Sequence, residues 1–446
     1  MKIKTDFLLP ALVLFSTDGY ALDLLFKPEF SFKERFDDNV RMQIHPKHSN
    51  FISTLSPGVM FGYLADDNEL NTRFKWNELI YSSDSALDFS EKLVNLSHKY
   101  QGERLKTDLA ASYAEESSIN NQLDPTVIDP TQINEAGGVQ LLVPRNTKSV
   151  SPTVTYNLNE KSSLQLGYSY QDVAFDRAQN LINNINYSDY SFQQYSATAS
   201  HAYTERLSFN LTGAYSVYES ANESPGIGLF NPFPFPVPLR FYQTAPITTG
   251  FSQKSTTFTY QAGVQYLFDE QTQLAFSAGI RDTTTDSTQF TSSSNPAPEL
   301  NSRSSLSKNT IGNVFSASLA RKSDWGDFSL SAGQQLNPAS TGQQQTSTTF
   351  SARGRYNLTE RLSTGINANY LLSESISTFS NDTSRSNNRT FITLSPNVQW
   401  RWTPEINLDL SYSYRQQVYE SNNQTITGDS VQLQFSYQPQ INRQVK

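Results

Sequence analysis

Basic side chains recur at alternating positions of segments that read as strands: Lys27 and Lys33, Arg73 and Lys75, Lys99, Lys106, Arg281, Arg353 and Arg355, Arg401, and Arg415. Fewer acids share that parity, namely Glu29, Glu91, Asp108 and Asp409. A wall with this excess would concentrate anions and slow cations. The same charges, paired across strands, would do no more than keep the wall wet. A register slip of one residue would move any of them to the opposite face. The whole chain carries a formal net charge of -8, so the acidic excess must sit in turns and loops, for example at Glu115, Glu116, Asp124 and Asp129.

Two other groupings bear on chemistry. The run from Pro225 to Tyr242 is apolar, aromatic and stiffened by proline. Phe230, Phe233, Phe235, Phe241 and Tyr242 would form a gate folded into a mouth, or a shelf on which sugar rings stack. A loop packed on its own barrel, on lipopolysaccharide or on a neighbouring subunit fits them too. His45-Pro-Lys-His48 is the close histidine pair, with no acidic third ligand fixed beside it, so neither metal nor cofactor is expected. Asp37 or Asp38 beside either histidine is the nearest approach to a catalytic set. No strained nucleophile turn accompanies it, and an enzyme is not expected. There are no cysteines, which removes zinc–thiolate and thiol chemistry. The acidic balance argues against nucleic acid as a partner.

The elements that would hold these residues alternate with a period of two. Leu207-Ser-Phe-Asn-Leu-Thr-Gly-Ala-Tyr-Ser-Val217 has apolar odd positions and small or polar even ones, and 260–268, 406–414 and 431–437 repeat it. About eighteen such segments predict an all-β fold, a transmembrane antiparallel β-barrel with lipid outside and a polar lumen. They run from 24–35 to 430–438 and include 206–218, 255–268, 272–283 and 309–321. Short turns alternate with longer loops, the longest being 116–147, 219–254 and 284–308. An even strand number with both termini in the periplasm puts the short turns there and the long loops outside. Pro57, Pro152 and Pro396 lie in Ser-Pro pairs within strands and suggest bulges or a bent rim. Small residues on the inward parity, among them Ser208, Thr212, Ser216, Ser329, Ser331, Ser411 and Ser413, favour an open channel over a packed interior.

Mean hydropathy of -0.52 suits such a barrel, because only every second strand residue need be apolar. Residues 1–21 read as a signal peptide: Lys2 and Lys4, then an apolar run from Phe7 to Phe15, then Gly19-Tyr-Ala21 before cleavage. The barrel then occupies 22–438, and 439–446 form a short periplasmic tail. Trp76, Trp400 and Trp402 face outward as an aromatic girdle at the lipid interface. The expected surroundings are outer-membrane lipid and lipopolysaccharide, with polysaccharide or small solutes in the lumen.

The mature N-terminus carries Asp37-Asp-Asn39, followed by a strand with Ser56-Pro-Gly58. This pairing resembles outer-membrane barrels of the β-barrel porin 2 type, associated with exopolysaccharide and exosortase (PEP-CTERM) systems. The resemblance covers nearly the whole mature chain, and its specific motifs are those two. It implies a route for secreted polysaccharide across the outer membrane, working with periplasmic polysaccharide-export proteins, and assigns no catalytic residues. Two alternatives stay open: a general or solute-selective diffusion porin, and a structural or adhesive barrel acting through its extracellular loops.

Overall fold

The structure is a computed structural model. It describes residues 23–117, 143–176, 187–230, 243–293, 300–339, 342–375, 388–419 and 424–439. The predicted signal peptide lies outside the described residues, as do Phe233, Phe235, Phe241, Tyr242 and the end of the tail; of Phe230 only the backbone is described.

Eighteen strands follow one another: β1 (Asp23–Asp37), β2 (Asn50–Leu64), β3 (Asn68–Tyr81), β4 (Phe89–Gln101), β5 (Leu105–Ser117), β6 (Pro144–Asn157), β7 (Ser162–Phe175), β8 (Asp189–Ala202) and β9 (Leu207–Phe230) form the first half. The second half is β10 (Gln243–Leu267), β11 (Thr272–Ser293), β12 (Ser302–Ser323), β13 (Gly326–Asn337), β14 (Gln345–Asn357), β15 (Leu362–Ser375), β16 (Arg389–Arg401), β17 (Ile406–Tyr419) and β18 (Gln424–Tyr437). Each pairs antiparallel with its neighbours in sequence. β18 closes on β1 in a register running from Phe30 opposite Tyr437 to Asp37 opposite Ser430. The result is a sheet closed around its whole circumference, so the backbone groups within the closed ring are answered by neighbouring strands, while β1 before Phe30, β9 after Ala221 and β12 before Phe315 are paired on one side.

Alternation sets which face is which. Leu211 (64% exposed), Ile280 (57%) and Leu433 (53%) stand outside with Phe30, Phe32, Phe74 and Val398, giving an apolar surface that runs around the barrel. A water-soluble protein rarely exposes more than a few hundred Å² of contiguous apolar surface, so this wall is built for hydrocarbon. Trp400 and Trp402 stack outside at the end of β16, centroids 6.2 Å apart, and Trp325 leans on Tyr356 at the same end. Trp76 is exposed on β3.

Eight turns lie at one end: 65–67, 102–104, 158–161, 203–206, 268–271, 324–325, 358–361 and 402–405. The opposite strand ends lie at the other, with the described segments 38–49 and 82–88. The repeated Thr-Glu-Arg is turn chemistry. Thr204 Oγ1 accepts from the amides of Arg206 (3.2 Å) and Leu207 (3.0 Å), and Thr359 Oγ1 does the same for Arg361 and Leu362. Asp269 accepts from the Gln271 amide at 2.8 Å, a bond that holds its carboxyl below the usual range.

Two expectations are corrected. The Ser-Pro strands carry no bulge: Leu55 faces Glu78 and Gly58 faces Lys75, so the register is the same on both sides of Pro57. The same continuity holds around Pro152 and Pro396. Proline simply removes one donor from a ladder that otherwise continues. The spans read as long loops, 219–254 and 284–308, are largely strand, since β9 to β12 run for 24, 25, 22 and 22 residues. Above the apolar belt neither face of these strands must be apolar. The Thr/Ser-rich stretch 282–293 therefore shows no hydrophobic alternation, yet its β-branched threonines favour extended backbone.

Candidate channel lumen

Strand register places the basic residues singled out above on the inner wall. Lys27 and Lys33 stand on β1, Arg73 and Lys75 on β3, Lys99 on β4, Lys106 on β5, Arg281 on β11, Arg353 and Arg355 on β14, Arg401 on β16 and Arg415 on β17. Each has the opposite parity to its strand's exposed apolar residues. Several are engaged across strands. Arg73 grips Glu29 with both Nε (2.5 Å) and Nη2 (2.6 Å). Arg355 Nε lies 2.9 Å from Asp327, and Arg415 Nη2 lies 2.6 Å from Asp37. Arg353 donates to the Asn367 amide oxygen at 3.0 Å, and Arg281 to Thr346 Oγ1 at 2.6 Å.

Some inward charges escaped the sequence reading. Arg35 shares the parity of Lys27 and Lys33 on one strand, which was the available signal. Arg389 shares that of Arg401 at the far end of β16. Arg145 sits on β6 beyond the span that alternation marked, and pairs with Glu116 at 2.8 Å, both nearly buried.

The two ends of the lumen differ. Toward the turns, inward Ser208, Thr212, Ser329, Ser331, Ser411 and Ser413 are half-exposed, so a solvent-filled vestibule opens there. Toward the loops the interior is packed. The segment 38–49 folds inward, and its Val40 and Met42 join Ile52, Leu79, Tyr81, Leu87, Phe391 and Ile426 in an apolar cluster inside the wall. Beneath that cluster Asp37 and Arg415 form an ion pair with side chains 0% and 1% exposed. Asp37 also accepts the Asn39 amide (3.0 Å), while Asn39 binds the Gln43 backbone and the Thr427 carbonyl. Asp38 takes the Asp429 amide at 2.6 Å. Gly428 leaves room for the cap: a Cβ on it would crowd Met42 Sδ at 3.0 Å and Arg415 Nη2 at 3.1 Å. The Asp37-Asp-Asn39 motif is thus the anchor of a cap.

A second cluster fills the mouth beside β7, β8 and β9. Val143, Val173, Phe175, Tyr187, Tyr190, Phe192 and Tyr218 are buried together. From across the barrel, the connection between β13 and β14 reaches this wall. Tyr218 donates to the Ala339 carbonyl (3.4 Å) and Ser220 to the Gly342 carbonyl (2.6 Å). Gly342 has φ +81, and a Cβ on it would sit 2.5 Å from Ser188 Oγ. Gly342→Val should therefore lift this connection off β9 and lose two hydrogen bonds, each worth about 1 kcal/mol. The measurable result is a larger single-channel conductance than wild type; an unchanged conductance would mean that this contact does not obstruct the lumen.

His45 and His48 are exposed on segment 38–49. Neither has a hydrogen-bonded carboxylate among the described residues. Asp37 is engaged by Arg415, and Asp38 by Asp429 and Lys47. Among the described residues there is also no cluster of side chains suited to a metal ion.

No family model matches the chain, and no curated protein does. Solved barrels resemble it in shape. The ferric-catecholate import receptor Fiu of E. coli K12 aligns at 8% identity over 92% of this chain and 81% of that one, TM-score 0.46. The outer membrane channel DcaP of Acinetobacter baumannii aligns at 11% over 95% and 99%, TM-score 0.41. OpdK of Pseudomonas aeruginosa, solved with vanillate, aligns at 8% over 93% and 98%, TM-score 0.41.

Proposed function

We propose that this chain is an outer-membrane channel for anionic, hydroxyl-rich solutes, with a basic vestibule open to the periplasm and an outer mouth narrowed by segment 38–49 and the β13–β14 connection. The observation that carries the reading is the contrast of walls: an apolar belt outside, and inside a solvent-reachable surface of Ser, Thr, Asn and Gln set with more arginine and lysine than carboxylate. Amide and hydroxyl side chains both donate and accept, so they can exchange hydrogen bonds along a chain of sugar hydroxyls without holding it tightly. In its finer form the solute is a secreted polysaccharide leaving the cell, handed to the turn end by periplasmic export proteins. The Asp37-Asp-Asn39 and Ser56-Pro-Gly58 resemblance supports that form. The packed mouth means that passage requires displacement of the 38–49 segment or of the β13–β14 connection.

Planar-bilayer conductance of the refolded protein tests this. Anion-selective steps, blocked by acidic oligosaccharides from the turn side, are expected. Arg353→Ser/Arg355→Ser should reduce the preference for anions by about threefold, roughly what removing two partly screened charges from a wide lumen does. Steps without charge preference would leave a general porin. A second reading, a structural or adhesive barrel, draws support from the packed upper interior, and a folded barrel silent in wild-type and cap-released forms would favour it.

A further inference from the structure

Below the cap, the inner faces of β15, β16, β17, β18 and β1 enclose a recess of about 300 Å³ that no part of the cap occupies. Every residue that lines it has a polar side chain. Lys33 and Arg35 stand two residues apart on β1, facing the basin from one side. Asp409 on β17 and Asn397 on β16 face it from the other, joined by a 3.3 Å hydrogen bond. Gln432 and Gln434 on β18 form the floor between them, opposite Arg35 and Lys33 in register. The recess extends toward the turn end through the last residues of β16 and β18, and on the loop side Asp37 and Arg415 are the next inward residues after Arg35 and Ser413.

We propose that this recess is a binding site for a sugar acid, in which Lys33 and Arg35 hold the carboxylate and the amides with Asp409 hold the ring hydroxyls. Three features carry the assignment. The cations sit side by side on one wall, where both line the recess, and the Arg35 guanidinium is anchored from behind by Asp37, 4.0 Å from its buried Nε. A carboxylate is the acceptor that suits a guanidinium beside an ammonium. The opposite wall offers groups that accept as well as donate, as vicinal hydroxyls require, and an Asp409 carboxylate that can accept from them. The volume fits one or two pyranose rings, not a folded polymer. Its position toward the turn end makes it a loading site at the start of the path. This inference rests on the channel reading for its biological sense, though the binding itself does not depend on conduction.

The test is calorimetric titration of the full folded barrel in detergent with trigalacturonic acid, maltotriose and citrate as probes. Trigalacturonic acid should bind most tightly, maltotriose more weakly, and citrate, which has charge without a sugar ring, most weakly. Lys33→Gln/Arg35→Gln should weaken trigalacturonic acid by about tenfold, the loss expected when a charge-assisted carboxylate contact is removed. It should leave maltotriose within about twofold, since uncharged contacts are intact. Asn397→Ala/Gln434→Ala should weaken both sugars. Lys254→Gln, on the outer face where Lys254 pairs with Glu219 at 2.6 Å, should change neither. Because Arg35 lies near the buried Asp37, heat-modifiable migration confirms folding, and Lys33→Gln alone repeats the charge test if the double variant misfolds. Equal affinity for citrate and trigalacturonic acid, no effect of Lys33→Gln, or no binding of any probe overturns the proposal. Binding as described by a barrel that never conducts would sink the channel and leave the site standing; conduction with unaltered affinities in the basin variants does the reverse.

Discussion

Arg415→Ala will release residues 38–49 from the mouth of the barrel and raise its conductance. The guanidinium is 1% exposed and its partner Asp37 is wholly buried. Removing one member of such a pair strands the other charge, which costs about 3–5 kcal/mol, whereas replacing both by apolar groups is close to neutral. The strand itself does not need this side chain, because β17 keeps its ladders to β16 and β18. The cheaper response is for Asp37, Asn39 and the segment they hold to move out into water. Trypsin reports that movement directly, since Arg41 and Lys47 lie on the segment, Arg41 tied to Asp84 at 2.7 Å. Wild type should resist cleavage there while Arg415→Ala is cut and conducts in larger steps. Asp37→Leu/Arg415→Met should restore much of the resistance, which separates a stranded charge from a general loss of fold. Wild-type trypsin resistance and conductance in Arg415→Ala would show that the pair does not hold the cap.

Strand number and inner face were legible because both follow from one local rule, alternation, read within about ten residues at a time. The turn residues were legible for the same reason: Thr204 and Thr359 bond amides two and three positions on. The cap was not. Asp37 finds Arg415 at a sequence separation of 378, and nothing near Asp37 announces that a charge will be buried. Gln343, Gln344 and Gln345 are a polar run that nothing nearby in sequence marks for burial, yet they are among the most buried side chains, because the connection turns inward against β9. Small inward serines suggested an open pore throughout. They describe the turn end, whereas the loop end is filled by segments whose burial depends on the barrel's circumference having brought distant strands together. The upper halves of β9 to β12 were missed because alternation marks a boundary between two solvents, and a ribbon standing above the membrane has the same solvent on both faces.

That dependence on two solvents yields the sharpest test of where the barrel resides. Leu211 points outward at mid-belt on β9, level with Ala262, and is 64% exposed. Thr212, the next residue, points inward and shares a 2.9 Å hydrogen bond with Thr198. In a bilayer, arginine at the outward position near the midplane costs about 2–4 kcal/mol, against about 1 kcal/mol for losing the hydroxyl pair at the inward one. Leu211→Arg should therefore fold poorly into lipid vesicles, with a urea midpoint well below wild type, and Thr212→Arg should fold nearly as wild type. The penalty should also fade with depth, so that Trp402→Arg at the turn end is tolerated better than Leu211→Arg. An outer wall bathed in water would reverse the ranking, because arginine at position 211 would then remove an exposed leucine from water and at position 212 would crowd the wall. Adjacent residues in one strand are matched for backbone and depth and differ in the face they present. A difference between them therefore reports the medium each faces.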